Sequence, residues 1–134
     1  MELIKINING FHHIAIDAKD YDKTYNFYSE VLGFKEKLSW KMNEGKRAVM
    51  LDSGKGNYLE IFEGRDYEIK EGAYKHLAFL TDNCEEIIEE VRKAGAEITQ
   101  EPEEFDIPSE PVKKVKIAFC KGPDGEVIEF FEER

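Results

Sequence analysis

The hydrophobic pattern of this chain is written twice. Gly56-Asn57-Tyr58-Leu59-Glu60-Ile61-Phe62-Glu63 returns near the C-terminus as Gly125-Glu126-Val127-Ile128-Glu129-Phe130-Phe131-Glu132. At an offset of 69 (129 − 60) the copies share glycine, then glutamate four positions on, then phenylalanine and glutamate. In each, strand-forming apolar residues surround an acidic one, at a place where a solvent-facing side chain is not expected. Upstream, Phe11-His12-His13-Ile14-Ala15-Ile16 and Tyr74-Lys75-His76-Leu77-Ala78-Phe79 match at an offset of 63 (76 − 13). The matched ionisable positions therefore run His, Glu, His, Glu.

The segments between them predict the same order of elements in both halves. Gly10 to Asp17, rich in Ile and Phe, is predicted as a strand. Asp20 is placed to cap a helix over Tyr21 to Leu32 that Gly33 stops, with Tyr21, Thr24, Phe27, Tyr28 and Val31 as its buried stripe. A strand over Phe34 to Met42, a turn at Asn43-Glu44-Gly45 and a strand over Arg47 to Asp52 lead through Ser53-Gly54-Lys55-Gly56-Asn57 into the Glu60 strand. The polar stretch Gly64 to Gly72 joins the halves without the composition of a flexible linker. In the second half, a strand over Ala73 to Thr81 is followed by Asp82 as cap, Glu85 three positions on, and a helix to Lys93 that Gly95 ends. A short strand, Glu97 to Gln100, precedes a predicted surface loop, Glu101 to Pro111, with three prolines, suited to a lid or to a tolerated insertion alike. Strand Val112 to Cys120 and the turn Lys121-Gly122-Pro123-Asp124-Gly125 complete the half. The expected fold class is α+β, built from two β-α-β-β-β modules at about 8–63 and 73–132.

At 134 residues the chain has room for one domain with a sizeable core and not for two of ordinary size, so the repeat is expected inside a single domain, 1–134. A hydrophobic share of 41% with nine Phe and six Tyr argues against a disordered chain. An excess of 29 acidic over 19 basic residues, net −10, opposes binding to nucleic acid or to an anionic membrane. Apolar residues nowhere run for the ~20 of a bilayer span, and Met1 to Lys5 opens no signal-peptide core, so a cytoplasmic location is expected. Cys84 and Cys120 form neither a disulfide framework nor a Cys-x-x-Cys motif and are expected to be free, semi-buried thiols.

Strand alternation puts His13 on one face with Phe11 and Ala15, and His76 with Tyr74 and Ala78, while His12 points the other way. Tyr58, Glu60 and Phe62 share a face, as do Val127, Glu129 and Phe131. If the halves fold alike, two imidazoles and two carboxylates can converge about a pseudo-two-fold axis, a donor set suited to Zn²⁺, Ni²⁺, Co²⁺, Mn²⁺ or Fe²⁺. Singly, a strand histidine is more often a hydrogen-bonded core or edge residue, and a strand glutamate more often faces water. The matched spacing is what favours a metal. His12, matched by Lys75, is read as structural, and Glu63 and Glu132, at strand ends, as solvated. Arg47 is read as an exposed residue near Glu44 rather than an anion-binding one, and Lys113 and Lys114 as a solvated pair rather than a carboxylate site. Trp40, Tyr58 and Phe131 suit pocket walls and core equally.

Three segments resemble the vicinal oxygen chelate superfamily, specifically its glyoxalase I-like, lactoylglutathione lyase-related branch. They are Phe11-His12-His13-Ile14-Ala15-Ile16, Asn26-Phe27-Tyr28-Ser29-Glu30-Val31-Leu32-Gly33-Phe34 and Gly122-Pro123-Asp124-Gly125-Glu126-Val127-Ile128-Glu129, and the resemblance spans nearly the whole chain. It implies paired β-α-β-β-β modules whose sheets curl around a divalent metal ion, Ni, Zn or Co ahead of Mn or Fe, often in a homodimer with sites shared between chains. Position by position, it implies His13, Glu60, His76 and Glu129 as the metal ligands. Extradiol dioxygenases and fosfomycin-resistance transferases leave the second of these out of the metal shell, and methylmalonyl-CoA epimerases tend to have glutamine there. Glu60 therefore favours the glyoxalase I pattern.

The implied reaction is an isomerisation of a small 2-oxoaldehyde–thiol adduct, such as the hemithioacetal of methylglyoxal, through an enediolate. The metal polarises the adjacent oxygens, and one of Glu60 and Glu129 carries the proton between neighbouring carbons. Glu129 is the expected base, although the repeat makes the two nearly equivalent. No glutathione-binding set is recognised, so glutathione is one thiol cosubstrate among those possible. The rival readings are another superfamily enzyme, an epimerase or a dioxygenase, and a small-molecule-binding protein of the resistance type. Retention of all four ligand-type residues argues against a metal-free binder.

Overall fold

The computed structural model describes residues 9–134. Met1 to Lys5, and the first residue of the predicted first module, lie outside them. Two four-stranded sheets divide the chain at its repeat. The first contains β1 (His13–Ala18), β2 (Lys35–Lys41), β3 (Arg47–Gly54) and β4 (Asn57–Glu63) in the order β1-β4-β3-β2. The second contains β5 (Leu77–Leu80), β6 (Ile98–Ile107), β7 (Lys113–Lys121) and β8 (Val127–Glu133) in the order β5-β8-β7-β6. In each sheet the first strand runs parallel to the last and the other pairings are antiparallel. Parallel pairing needs a crossover, which a helix supplies both times. These are α1 (Tyr21–Asn26), prolonged by a π turn over Phe27–Val31, and α2 (Cys84–Lys93). The expected β-α-β-β-β order is present in both halves.

The helix boundaries follow local chemistry. Asp20 caps α1 by accepting the Lys23 N–H at 3.1 Å. Gly33 ends the π turn with φ +77, which favours glycine. Tyr21, Thr24, Phe27 and Tyr28 are buried as the stripe predicts, with Val31 packed against them. The core takes Val49, Leu51, Leu59 and Ile61 from the first sheet and Ala118, Cys120, Ile128 and Phe130 from the second. Cys84, Ile88 and Val91 of α2 close it. Because Leu59 and Ile61, and likewise Ile128 and Phe130, face this core, Glu60 and Glu129 stand on the opposite faces of their sheets.

Several boundaries differ from expectation. The parallel ladders begin at His13 opposite Tyr58 and at Leu77 opposite Ile128, so β1 and β5 start later than Gly10 and Ala73, and His76 sits just ahead of its strand. Upstream of β1 the pairing is reduced to the Tyr58 N–H donating to the His12 carbonyl at 2.9 Å. The cap of α2 is Asn83, accepting the Glu86 N–H at 3.0 Å, and not Asp82. The predicted loop from Glu101 to Pro111 is largely strand, since β6 runs to Ile107. Pro102 is accommodated because β6 is an edge strand whose register shifts between Gln100 and Glu103, where a missing N–H breaks no ladder. The lid reading falls with that loop. Cys84 and Cys120 are fully buried rather than semi-buried, and both are free. No described helix is long and apolar enough to cross a membrane.

Candidate metal centre

The parallel registers place Ala15 opposite Glu60 and Ala78 opposite Glu129. Each histidine lies two residues before its alanine, on the same face, and meets the glutamate of its own sheet. His13 Nε2 is 3.5 Å from Glu60 Oε1, and His76 Nε2 is 3.1 Å from Glu129 Oε1. The imidazoles are 39% and 37% exposed, and the carboxylates 12% and 11%. Neither glutamate forms an ion pair with Lys or Arg among the described residues.

The four predicted residues thus assemble two by two. Among the described residues of one chain, no three His, Cys, Asp or Glu side chains come close enough to hold a metal ion. The expected convergence of all four does not occur within a chain, because the core occupies the opposite faces and leaves each glutamate face open. The donors themselves, an imidazole nitrogen beside a carboxylate oxygen, suit a divalent transition ion. Each pair offers one imidazole nitrogen and one carboxylate oxygen on an open sheet face.

Aromatic side chains surround both pairs. Trp40 packs edge-on to Phe62 at 6.3 Å on the Glu60 face, which also carries Tyr58. On the other, Phe119 pairs directly with Glu129 and packs edge-on to the His76 ring at 5.7 Å, with Phe131 beyond. His12 does not point away from His13 as strand alternation suggested. It precedes β1, and its Nδ1 lies 2.8 Å from Nδ1 of His13. A hollow of about 550 Å³ lies elsewhere, between Phe27, Val31, Ala96 and Pro123, and includes none of the four residues.

The charged residues at strand ends have structural roles that sequence reasoning missed. Glu63 is not solvated: it accepts the Arg47 backbone N–H at 2.8 Å, Nε at 3.1 Å and Nη2 at 2.8 Å. Those bonds hold its carboxyl down at about 2. Arg47 in turn pairs with Asp22 at 2.9 Å and stacks 4.3 Å over the Tyr21 ring, so its partners are these and not Glu44. Glu132 is engaged too, accepting the Cys84 N–H at 2.8 Å and satisfying an amide at the start of α2. Lys113 and Lys114 form surface pairs with Glu133 and Asp106 at 3.9 and 3.5 Å.

Asp124, read from sequence as a turn residue, is buried and ties the halves together. It accepts from the Lys19 N–H at 3.0 Å, the Thr24 hydroxyl at 2.7 Å and Arg65 Nη2 at 3.1 Å. Glu126, two residues on, accepts the Tyr28 hydroxyl at 2.5 Å and the Asp124 N–H at 2.8 Å. Burial pushes the Glu126 carboxyl up, partly offset by these bonds, and pushes the Tyr28 hydroxyl well up as well. A Pro-Asp-Gly turn accounts for Asp124 locally, and no local pattern reports a partner 100 residues away.

Comparison with known proteins places this architecture. A family model for the Glyoxalase/Bleomycin resistance protein/Dioxygenase superfamily matches residues 10–130. A probable lactoylglutathione lyase of Vibrio cholerae is 30% identical over 131 residues, covering 91% of this chain and 89% of the relative. The lactoylglutathione lyase of Escherichia coli O157:H7 is 31% identical over 131 residues, covering 91% of each. The crystal structure of a glyoxalase family protein from Enterococcus faecalis aligns with a TM-score of 0.75 at 28% identity, covering 95% of this chain and 100% of that one.

Proposed function

Since the chain belongs to the glyoxalase/bleomycin resistance protein/dioxygenase superfamily, in keeping with its vicinal oxygen chelate motifs, we propose that it is a metal-dependent lyase or isomerase of the glyoxalase I type. Its substrate would be a small 2-oxoaldehyde–thiol adduct, with glutathione or another thiol as the cosubstrate. The observation that carries this reading is the duplicated pair, His13 with Glu60 and His76 with Glu129, each imidazole Nε2 turned to a carboxylate on an open sheet face. The relatives named lactoylglutathione lyase support it.

His13, Glu60, His76 and Glu129 would hold the ion in a homodimer, one pair from each chain. The exposed surface supports this assembly. Leu38, Leu80 and Phe105 are exposed on the glutamate faces, and Phe11 and Tyr74, two residues before the histidines, are each 93% exposed. Exposed apolar side chains on both open faces are of the kind that a partner chain would cover. A two-fold pairing applies the same patch twice and completes two sites.

A divalent ion held there, Ni, Zn or Co ahead of Mn or Fe, would supply Lewis-acid polarisation of adjacent substrate oxygens, lowering the pKa of the neighbouring C–H. Glu129 takes that proton on a carboxylate oxygen and returns it to the next carbon. Trp40, Tyr58, Phe119 and Phe131 wall the site and limit loss of the proton to water.

Elemental analysis of protein purified without chelator tests the site. About one divalent ion per chain is expected, lost in Glu60→Gln and in His76→Ala, together with a dimeric mass by light scattering. No metal under any loading condition overturns the enzymatic reading. With methylglyoxal and glutathione or another thiol, Glu129→Gln should lower turnover more than metal content, and equal loss of both would leave Glu129 a ligand only.

A further inference from the structure

The two His–Glu pairs share position but not support. Nδ1 of His13 meets Nδ1 of His12 at 2.8 Å, within hydrogen-bond range. His12 is held there by Tyr58: the ring centroids are 5.0 Å apart, and the Tyr58 N–H donates to the His12 carbonyl at 2.9 Å. At the equivalent position before His76 stands Lys75. The His76 ring packs against Phe119 at 5.7 Å, and among the described residues no hydrogen bond reaches its Nδ1.

Two neutral imidazoles that meet nitrogen to nitrogen need one proton between them, since facing lone pairs repel and facing N–H groups clash. The ring that carries it fixes the tautomer of both. Nε2 of His13 lies 3.5 Å from Glu60 Oε1, beyond the roughly 2.7–3.2 Å of an N–H···O bond. The one contact of hydrogen-bond length on this ring is thus at Nδ1, and the direction of that bond decides whether Nε2 carries a proton. We propose that His12 is a positioning residue for His13, its Nδ1 accepting the His13 Nδ1–H so that the Nε2 lone pair is left bare beside Glu60. His12 keeps its own proton on Nε2, on an exposed ring. The first half-site is thus held in the tautomer that ligates before any ion arrives, and the second is not. The purpose of this arrangement rests on the metal reading above, whereas the tautomer itself is a property of the metal-free chain.

The test is two-bond ¹H–¹⁵N spectroscopy of the metal-free, ¹⁵N-labelled full chain, above the range in which an ordinary imidazole titrates. His13 should show a protonated Nδ1 and a bare Nε2. His12→Phe keeps a ring against Tyr58 but removes the acceptor, and should move His13 toward the Nε2–H form while leaving His76 unchanged. His12→Asn, whose amide oxygen can stand near the lost Nδ1, should restore the wild-type pattern. Zinc affinity, read by competition with a chromophoric chelator, should fall about 10–100-fold in His12→Phe and recover in His12→Asn. A wild-type His13 protonated on Nε2, or a His13 spectrum that His12→Phe leaves unmoved, overturns the proposal. The first of these is decided by the wild-type spectrum even where the Phe variant fails to fold. Absence of zinc binding with the tautomer pattern intact overturns the metal reading instead.

Discussion

Asparagine at position 124 keeps the shape of the Asp124 side chain and removes its charge, which isolates the contribution of its pair with Arg65. The two side chains are 4% and 8% exposed, so solvent screens the pair little. Asp124 receives three donors, from Lys19, Thr24 and Arg65. An amide oxygen at the Oδ1 position still accepts from Lys19 and Arg65 while the NH₂ faces the Thr24 hydroxyl, so what the substitution removes is the negative charge beside the buried Arg65 guanidinium. Breaking a buried pair by removing one partner costs about 3–5 kcal/mol. At about 2.1 cal/mol/K per residue, 134 residues give an unfolding entropy of about 0.28 kcal/mol/K, so the Tm should fall by about 10–18 °C. Calorimetry at fixed protein concentration measures this, the concentration being held because subunit association shifts Tm. Adding Arg65→Met removes the stranded charge and should recover part of the loss. A fall below about 3 °C, under about 1 kcal/mol, would refute the buried-pair account. A full fall without recovery in the double variant would assign the loss to the Lys19 and Thr24 hydrogen bonds.

Two further outcomes follow from the titrating groups. The Glu63 carboxyl is held at about 2, below its ordinary 4.5, chiefly by hydrogen bonds from Arg47. The unfolded chain therefore takes up that proton first, so the stabilisation is complete above about pH 4.5 and is lost as pH falls toward 2. Denaturant titrations should find Glu63→Gln less stable than the parent near neutral pH, with the gap closing toward the acid end; a constant gap would contradict the assignment. Burial pushes the Cys84 and Cys120 thiols up to about 11, so a thiol-specific disulfide reagent at mildly alkaline pH should label neither in the folded protein and both in denaturant. Rapid labelling of the folded chain would contradict their burial.

Alternation made the two faces of β4 and β8 legible in advance. Leu59 and Ile61 flank Glu60, and Ile128 and Phe130 flank Glu129, so the division into core face and glutamate face follows from the order of residues. What local order does not contain is the partner. The starts of β1 and β5 are set by where β4 and β8 begin to pair with them, not by their own composition. Asp82 and Asn83 are both capable caps, and the choice of Asn83 lets Cys84 open the helix in a fully buried position. Pro102 reads as a strand breaker until the neighbouring register shift on an edge strand is known. The four ligand-type residues were recognisable from their repeat, but their division into two pairs depends on which faces the core consumes. Arg65 and Asp124 are a polar connector residue and a turn residue until the fold brings them to 3.1 Å.

The repeat duplicates the residues on the open faces without duplicating what braces them. Glu63 and Glu132 stand at equivalent positions, yet one clasps Arg47 and the other satisfies the first amide of α2. The turn before β4 is braced within itself, by Ser53 donating to the Asn57 carbonyl and by the Gly54 N–H donating to Asp52. The turn before β8 is braced across the molecule, through Asp124 to Thr24 and Arg65 and through Glu126 to Tyr28. Glu60 therefore lies on a strand whose entry turn is held locally at the surface, and Glu129 lies on one whose entry turn is fastened into the buried junction of both halves. A proton carrier must return to the same place between steps, within tenths of an ångström, to transfer efficiently. The repeat leaves the two carboxylates equivalent in chemistry, and this difference in anchorage is the physical ground on which Glu129 rather than Glu60 is proposed as the proton carrier.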